Sequence, residues 1–201
     1  MRKIGYNYIE YVGFQKGFTN MKLLVASDIH GDLDSAKRVV SAFYKEKADK
    51  LLLLGDILYH GPRNDLPSTY APKEVLALLN GEREHILAVR GNCDTEVDQM
   101  VLSFPILADY AYLSLDGLTV FATHGHHHNT ATPPPLSEGD ILLHGHTHVL
   151  CAVEFGNNNI YLNPGSAALP KEGNPRTYMV YENRTFTVKD FDENTVLCVK
   201  R

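Results

Sequence analysis

The sequence predicts an α/β protein in which a parallel βαβαβ half is followed by strand hairpins, giving two packed sheets with helices outside. Three observations carry that prediction. Apolar runs at Leu23–Ala26, Leu51–Leu54 and Ile86–Val89 read as buried strands. Helical patterns separate these runs, so the strands are joined by right-handed parallel crossovers and their polar ends lie along one edge of one sheet. From about residue 110 the pattern changes to short strands divided by turn residues. With 201 residues, 44% of them hydrophobic, the chain suits a single domain with a substantial core.

The elements follow in order. Residues 1–20 contain Tyr6, Tyr8, Tyr11, Phe14 and Phe18 among glycines but no sustained apolar period, and Met21-Lys22 offers a second possible start. The expectation is therefore an extension, residues 1–20, outside a domain spanning 21–201. Leu33 to Lys47 places Leu33, Ala36, Val39, Val40 and Phe43 at helical spacing, with aspartate at the start and lysines at the end. Tyr59 to Tyr70 is a loop punctuated by Gly61-Pro62, Asn64 and Pro67, of a length usually reserved for function. A short helix is predicted from Pro72 to Leu79. Tyr110–Leu115 and Leu118–Thr123 flank Asp116-Gly117, a strong hairpin signal. A proline-rich loop leads to Asp140–Leu143, and Val149–Phe155, Ile160–Leu162, Arg176–Tyr181, Thr185–Lys189 and Thr195–Val199 complete a mostly antiparallel set.

Composition narrows the function. Nineteen basic against 24 acidic residues give a net charge of −5, which supplies no general attraction for nucleic acid or an anionic membrane. Cys93, Cys151 and Cys198 form an odd set without a CxxC, so a disulfide framework is not expected and the setting predicted is a reducing cytoplasm. No apolar run has the length of a membrane span or a signal peptide.

The chemistry concentrates at strand ends. Ser27-Asp28-Ile29-His30-Gly31-Asp32 follows the first apolar run, Gly55-Asp56 the second and Arg90-Gly91-Asn92-Cys93-Asp94 the third. Seven of the ten histidines fall between His124 and His148, in Thr123-His124-Gly125-His126-His127-His128 and His144-Gly145-His146-Thr147-His148. Each of these histidines alone is best read as a loop or core residue. Together, Asp28, His30, Asp56, Asn92, His124, His146 and His148 supply carboxylate, amide oxygen and imidazole after successive strands. That mixture suits a pair of borderline divalent ions, whereas a structural zinc site would call for clustered cysteine. His126, His127 and His128 read as loop residues.

These ordered blocks, D-x-H, G-D, G-N, a histidine beside H-G-H, and G-H-x-H, resemble the calcineurin-like metallophosphoesterases over Met21 to about Ser166. The loop Asp56 to Asn64, the block Gly91 to Asp94 and Asn163-Pro164-Gly165-Ser166 look most like the bacterial YfcE-type phosphodiesterases. The resemblance implies a four-layer α/β/β/α sandwich of two mixed sheets. It also implies that Asp28, His30, Asp56 and His148 hold one metal while Asp56, Asn92, His124 and His146 hold the other, with manganese the usual ion. Two cations about 3.5 to 4 Å apart that share a carboxylate can activate a hydroxide between them and neutralise a phosphoryl group as it is attacked.

The predicted activity is metal-dependent hydrolysis of small phosphate esters, chiefly diesters, with Asp56, Asn92 and Arg63 as catalytic residues. The expected partner is a small phosphate ester, with nucleic acid disfavoured, no membrane, and a homo-oligomer left open. Arg63 is either a donor fork for a phosphate oxygen or a solvated loop arginine. Asp94 either orients a ligand or caps a helix at 95–100. Cys93 stands where many members of the family have a histidine near the leaving group. Its thiol is a poor proton donor, so aryl esters should be preferred to alkyl ones. Two rivals share the fold: a scaffolding protein that has lost metal ligands, and a nuclease.

Overall fold

The computed structural model describes residues 21–201, so the expectation of an N-terminal extension over residues 1–20 lies outside the described residues. Strands β1 (Leu23–Ala26), β2 (Lys50–Leu53) and β3 (Ile86–Ala88) pair in parallel, joined by helices α1 (Leu33–Glu46) and α2 (Pro72–Gly81). α1 begins at Asp32, whose carboxylate accepts a hydrogen bond from Ser35 N, and it ends at Lys47 in the left-handed region. A third helix, α3 (Glu96–Val101), has a capping box between Thr95 and Asp98 and buries none of its residues.

The second half of the chain serves both sheets. Strands β4 (Tyr110–Leu115) and β5 (Leu118–Thr123) form the expected hairpin, with Asp116 and Gly117 at φ 50° and 81°. β6 (Ile141–Leu143), β7 (Cys151–Phe155) and β8 (Asn159–Asn163) complete a five-stranded sheet of order β4-β5-β6-β8-β7. β9 (Thr177–Glu182) returns to pair antiparallel with β1, and β10 (Thr185–Asp190) and β11 (Thr195–Lys200) extend a six-stranded sheet of order β11-β10-β9-β1-β2-β3. The expected antiparallel character holds at the margins, but β5, β6 and β8 run parallel. The connections 124–140 and 144–158 are long enough to carry the chain back before each new strand, which a tight hairpin does not allow.

Alternation along the strands divides the core. Leu24, Ala26, Leu51 and Leu53 face α1 and α2, meeting Ala36, Val39 and Phe43, while Leu23, Val25, Leu52 and Leu54 face Val120, Ala122, Ile141 and Leu143 of the second sheet. Burial on both faces explains the unbroken apolar runs, and each leucine or valine among them contributes about 1.5–3 kcal/mol. The predicted two mixed sheets are present. The layer outside the second sheet is supplied by the connection carrying Leu136, packed against Phe121, Leu142 and Tyr161. Pro133-Pro134-Pro135 keeps that connection from forming a helix. The parallel strands of both sheets end at one edge, and the polar motifs follow there.

Candidate metal centre

Asp28 and His30 follow β1, Asp56 follows β2 and Asn92 follows β3, while His124 follows β5 and His146 and His148 follow β6. Backbone bonds stitch the first two strand ends together: Asp28 N donates to Gly55 O (3.2 Å), His30 N to Asp56 O (2.9 Å) and Gly31 N to Ile57 O (2.9 Å). Asp28, His30, Asp56, His146 and His148 have φ of 57°, 50°, 54°, 67° and 62°. Left-handed backbone is uncommon for side chains other than glycine, and its concentration here marks strain held in place by the surrounding structure.

The side chains converge as acceptors facing acceptors. His30 Nδ1 donates to Tyr59 O (2.8 Å), His124 Nδ1 to Leu54 O (2.7 Å) and His148 Nδ1 to Leu169 O (2.6 Å). In each neutral ring this places the proton on Nδ1 and turns the Nε2 lone pair inward. His30 Nε2 and His148 Nε2 then lie 3.2 Å apart, and His148 Nε2 is 3.2 Å from Asp28 Oδ1. His124 Nε2 lies 3.1 Å from Asn92 Oδ1, 3.1 Å from His146 Nδ1 and 3.4 Å from Asp56 Oδ2. Asp28 Oδ1 is buried with no hydrogen-bond partner. Groups arranged in this way could hold a cation between them.

The electrostatics agree. Burial works against the charge on Asp28, yet the His148 and His30 rings and the His124 charge hold its carboxyl well below the usual range. Burial likewise disfavours a charged His124, but Asp56 and Asp28 lift it to about 9, and the same balance raises His30. His146 is pushed down, first by burial and then by the His124 charge. The centre draws in a cation or protons in its place. Asp28, His30 and His148 have ligand atoms within 4.8 Å of one another, as do Asp28, Asp56 and His124. A donor set of this kind fits divalent cations.

A second tier of residues fixes these donors. Asp94 accepts from Asp56 N (2.8 Å) and Gly91 N (2.7 Å) on one oxygen and from Ile57 N (2.9 Å) on the other. It thus braces the loop of Asp56 and does not cap the following helix, whose N-cap is Thr95. Ser27 Oγ and His146 N both donate to Asp28 Oδ2, at 2.7 and 3.0 Å. A Cβ at Gly91 would overlap the Asp56 carboxylate, so only glycine admits this approach.

The family model for the calcineurin-like phosphoesterase superfamily domain matches residues 21–185. The phosphodiesterase YfcE of Escherichia coli is 44% identical over 177 residues, covering 88% of this chain and 96% of that protein. The chain belongs to the calcineurin-like phosphoesterases. The solved structure of E. coli YfcE superposes with a TM-score of 0.86, covering 89% of this chain and 98% of the other. Vacuolar protein sorting 29 from Cryptosporidium parvum shares the fold at 17% identity and a TM-score of 0.58, covering 90% of this chain and 99% of that one.

In this phosphoesterase a polar cleft of about 360 Å³ opens over the centre, lined by Asp56, Arg63, Asn64, Asn92, Cys93, His146, Thr147, His148 and Lys171. Arg63 thus faces the cleft. Lys171 was not legible in the sequence; it arrives from the segment after β8, and its N donates to His148 O (3.1 Å). Ser27 was also missed, although it adjoins the Asp28 motif. His127 and His128 stay in the loop, while the His126 ring lies 5.4 Å from that of His124. His144 is buried and stacked on Tyr161 at 4.3 Å. Cys93 is buried, and burial together with the Asp56 charge pushes its thiol up.

Proposed function

We propose that this phosphoesterase is a phosphodiesterase of small phosphate esters, working with two divalent ions, manganese being the expected metal. Asp28, His30, Asp56 and His148 would hold one ion, and Asp56, Asn92, His124 and His146 the other. Held there, two divalent ions would supply a nucleophile at neutral pH and neutralise charge developing on phosphoryl oxygens. The observation that carries this reading is the inward convergence of lone pairs around the buried, donorless Asp28 Oδ1. The chain's own part is to orient these donors through Tyr59, Leu54 and Leu169 carbonyls and Asp94. Arg63 and Lys171 add positive charge to the cleft wall, where a phosphoryl oxygen would lie. Asn92 has its amide oxygen turned to the centre, 3.1 Å from His124.

Two observations weigh against the rivals. The full set Asp28, His30, Asp56, Asn92, His124, His146 and His148 favours an enzyme over a scaffold, and a net charge of −5 does not favour a nuclease. Among the described residues no helix is long and apolar enough to cross a membrane, and all three cysteines are unpaired, which suits a reducing cytoplasm. The test is chelation. Hydrolysis of a bis-aryl phosphodiester should vanish on metal removal and return with manganese; full activity in metal-free protein contradicts the proposal.

A further inference from the structure

Beside the polar cleft lies a second depression of opposite character. It measures about 500 Å³ and is walled by Leu58, Tyr59, Tyr70, Leu76, Val97 and Val101. Its size is that of a small-molecule site. Lys73, Thr95 and Asp98 also stand on its lining, but the Asp98 carboxylate is taken up by Thr95 N and Oγ1 at 2.8 Å each, and the remaining surface is mainly apolar. Tyr59, Val97 and Val101 are 42%, 69% and 45% exposed, so apolar surface stands in water until something covers it.

The two depressions adjoin. The loop after β2 contributes Gly61, Pro62 and Arg63 to the cleft and Leu58 and Tyr59 to the groove. Cys93 lines both, and Gly61 packs so closely on it that an added Cβ would stand 3.1 Å from its Sγ. A polar, cationic cleft joined at one residue to an apolar groove matches the two ends of an ester.

We propose that the groove binds an apolar, ring-bearing ester group of the substrate, so that the substrate class is a phosphodiester with at least one aryl or similarly flat apolar alcohol. This rests on the phosphoesterase reading of the cleft. Val97 and Val101 on α3, with Leu76 on α2, are then specificity-determining residues that never touch the phosphoryl group.

The experiment is calorimetric binding of methylphosphonate and naphthylmethylphosphonate to the manganese-loaded full chain, in the wild type and in Val97→Lys and Val101→Lys. Both positions are exposed on a helix that buries none of its residues, so the substitutions should leave the fold unchanged, which a melting curve checks. The naphthyl ligand should bind at least about tenfold more tightly than the methyl one, the scale for withdrawing a ring face from water. Each substitution should cancel most of that advantage and leave methylphosphonate binding unaltered. Equal affinities in the wild type, or an advantage that survives both substitutions, overturns the groove while leaving the cleft intact. Failure of both ligands to bind overturns the reading of the cleft and the groove with it. A wild type that sediments as a dimer, is split by Val97→Lys and shows no naphthyl advantage assigns the surface to a second copy and overturns the proposal.

Discussion

Asp94 touches neither cleft nor cation, yet its two oxygens receive three backbone N–H groups from the segments that carry Asp56 and Gly91. An asparagine keeps the shape but turns one acceptor into a donor that meets N–H groups head on. Asp94→Asn should therefore weaken manganese affinity and kcat/KM by about 10- to 100-fold, as removal of a group that orients ligands usually does. Titration calorimetry on the folded variant checks this, and unchanged affinity would reduce Asp94 to a loop brace. At this scale the seven acidic, amide and imidazole residues that the structure brings together could be singled out in the sequence because each follows an apolar strand. Asp94 was ambiguous, since an aspartate one residue before a capping box reads as a cap in sequence. Lys171 and Ser27 were not legible: nothing local to Lys171 indicates that β8 delivers it to the cleft, and a serine before Asp28 has no distinctive spacing.

Among the elements, α1 shows how the sheet edge is held in register. Glu46, at its carboxyl end, meets Lys22 before β1 at 3.1 Å and Lys189 of β10 at 2.6 Å, and accepts from Tyr178 OH of β9 at 3.2 Å. Burial opposes its charge, but the two lysines hold its carboxyl below the usual 4.5. A carboxyl depressed in the folded state stabilises the fold above its unfolded pKa, and that stability is lost as pH falls through the folded value. Glu46→Gln should lower stability by at most about 1 kcal/mol at pH 7, given solvent screening, with the difference closing below about pH 4. Denaturant melts of both proteins across that range measure it; a difference that persists in acid would assign Glu46 a packing role. The bounds of α1 and the β1 to β3 crossovers were legible from apolar spacing. The parallel run of β5, β6 and β8 was not, because the turn residues between them look alike whether the chain reverses or crosses over.

For the whole molecule, two sheets converge so that parallel strand ends from both halves meet, and this brings residues as far apart as Asp28 and His148 to 3.2 Å. Five residues of the centre are held at positive φ, each at a cost on the order of 1–3 kcal/mol, which the packed strands beneath them offset. Every donor lies within the matched span, residues 21–185. A chain beginning at Met21 should therefore keep full specific activity and its melting temperature, and a large fall in either would place residues 1–20 among the structural parts of the domain. The central claim is that these donors form two cation sites sharing Asp56. The direct measurement is the manganese content of the wild type and of Asn92→Ala after equilibrium dialysis, alongside turnover. About two ions are expected per wild-type chain, and about one in Asn92→Ala with most turnover lost, because only the second site loses its amide oxygen. A single ion in the wild type, or two ions and undiminished turnover in Asn92→Ala, would contradict it.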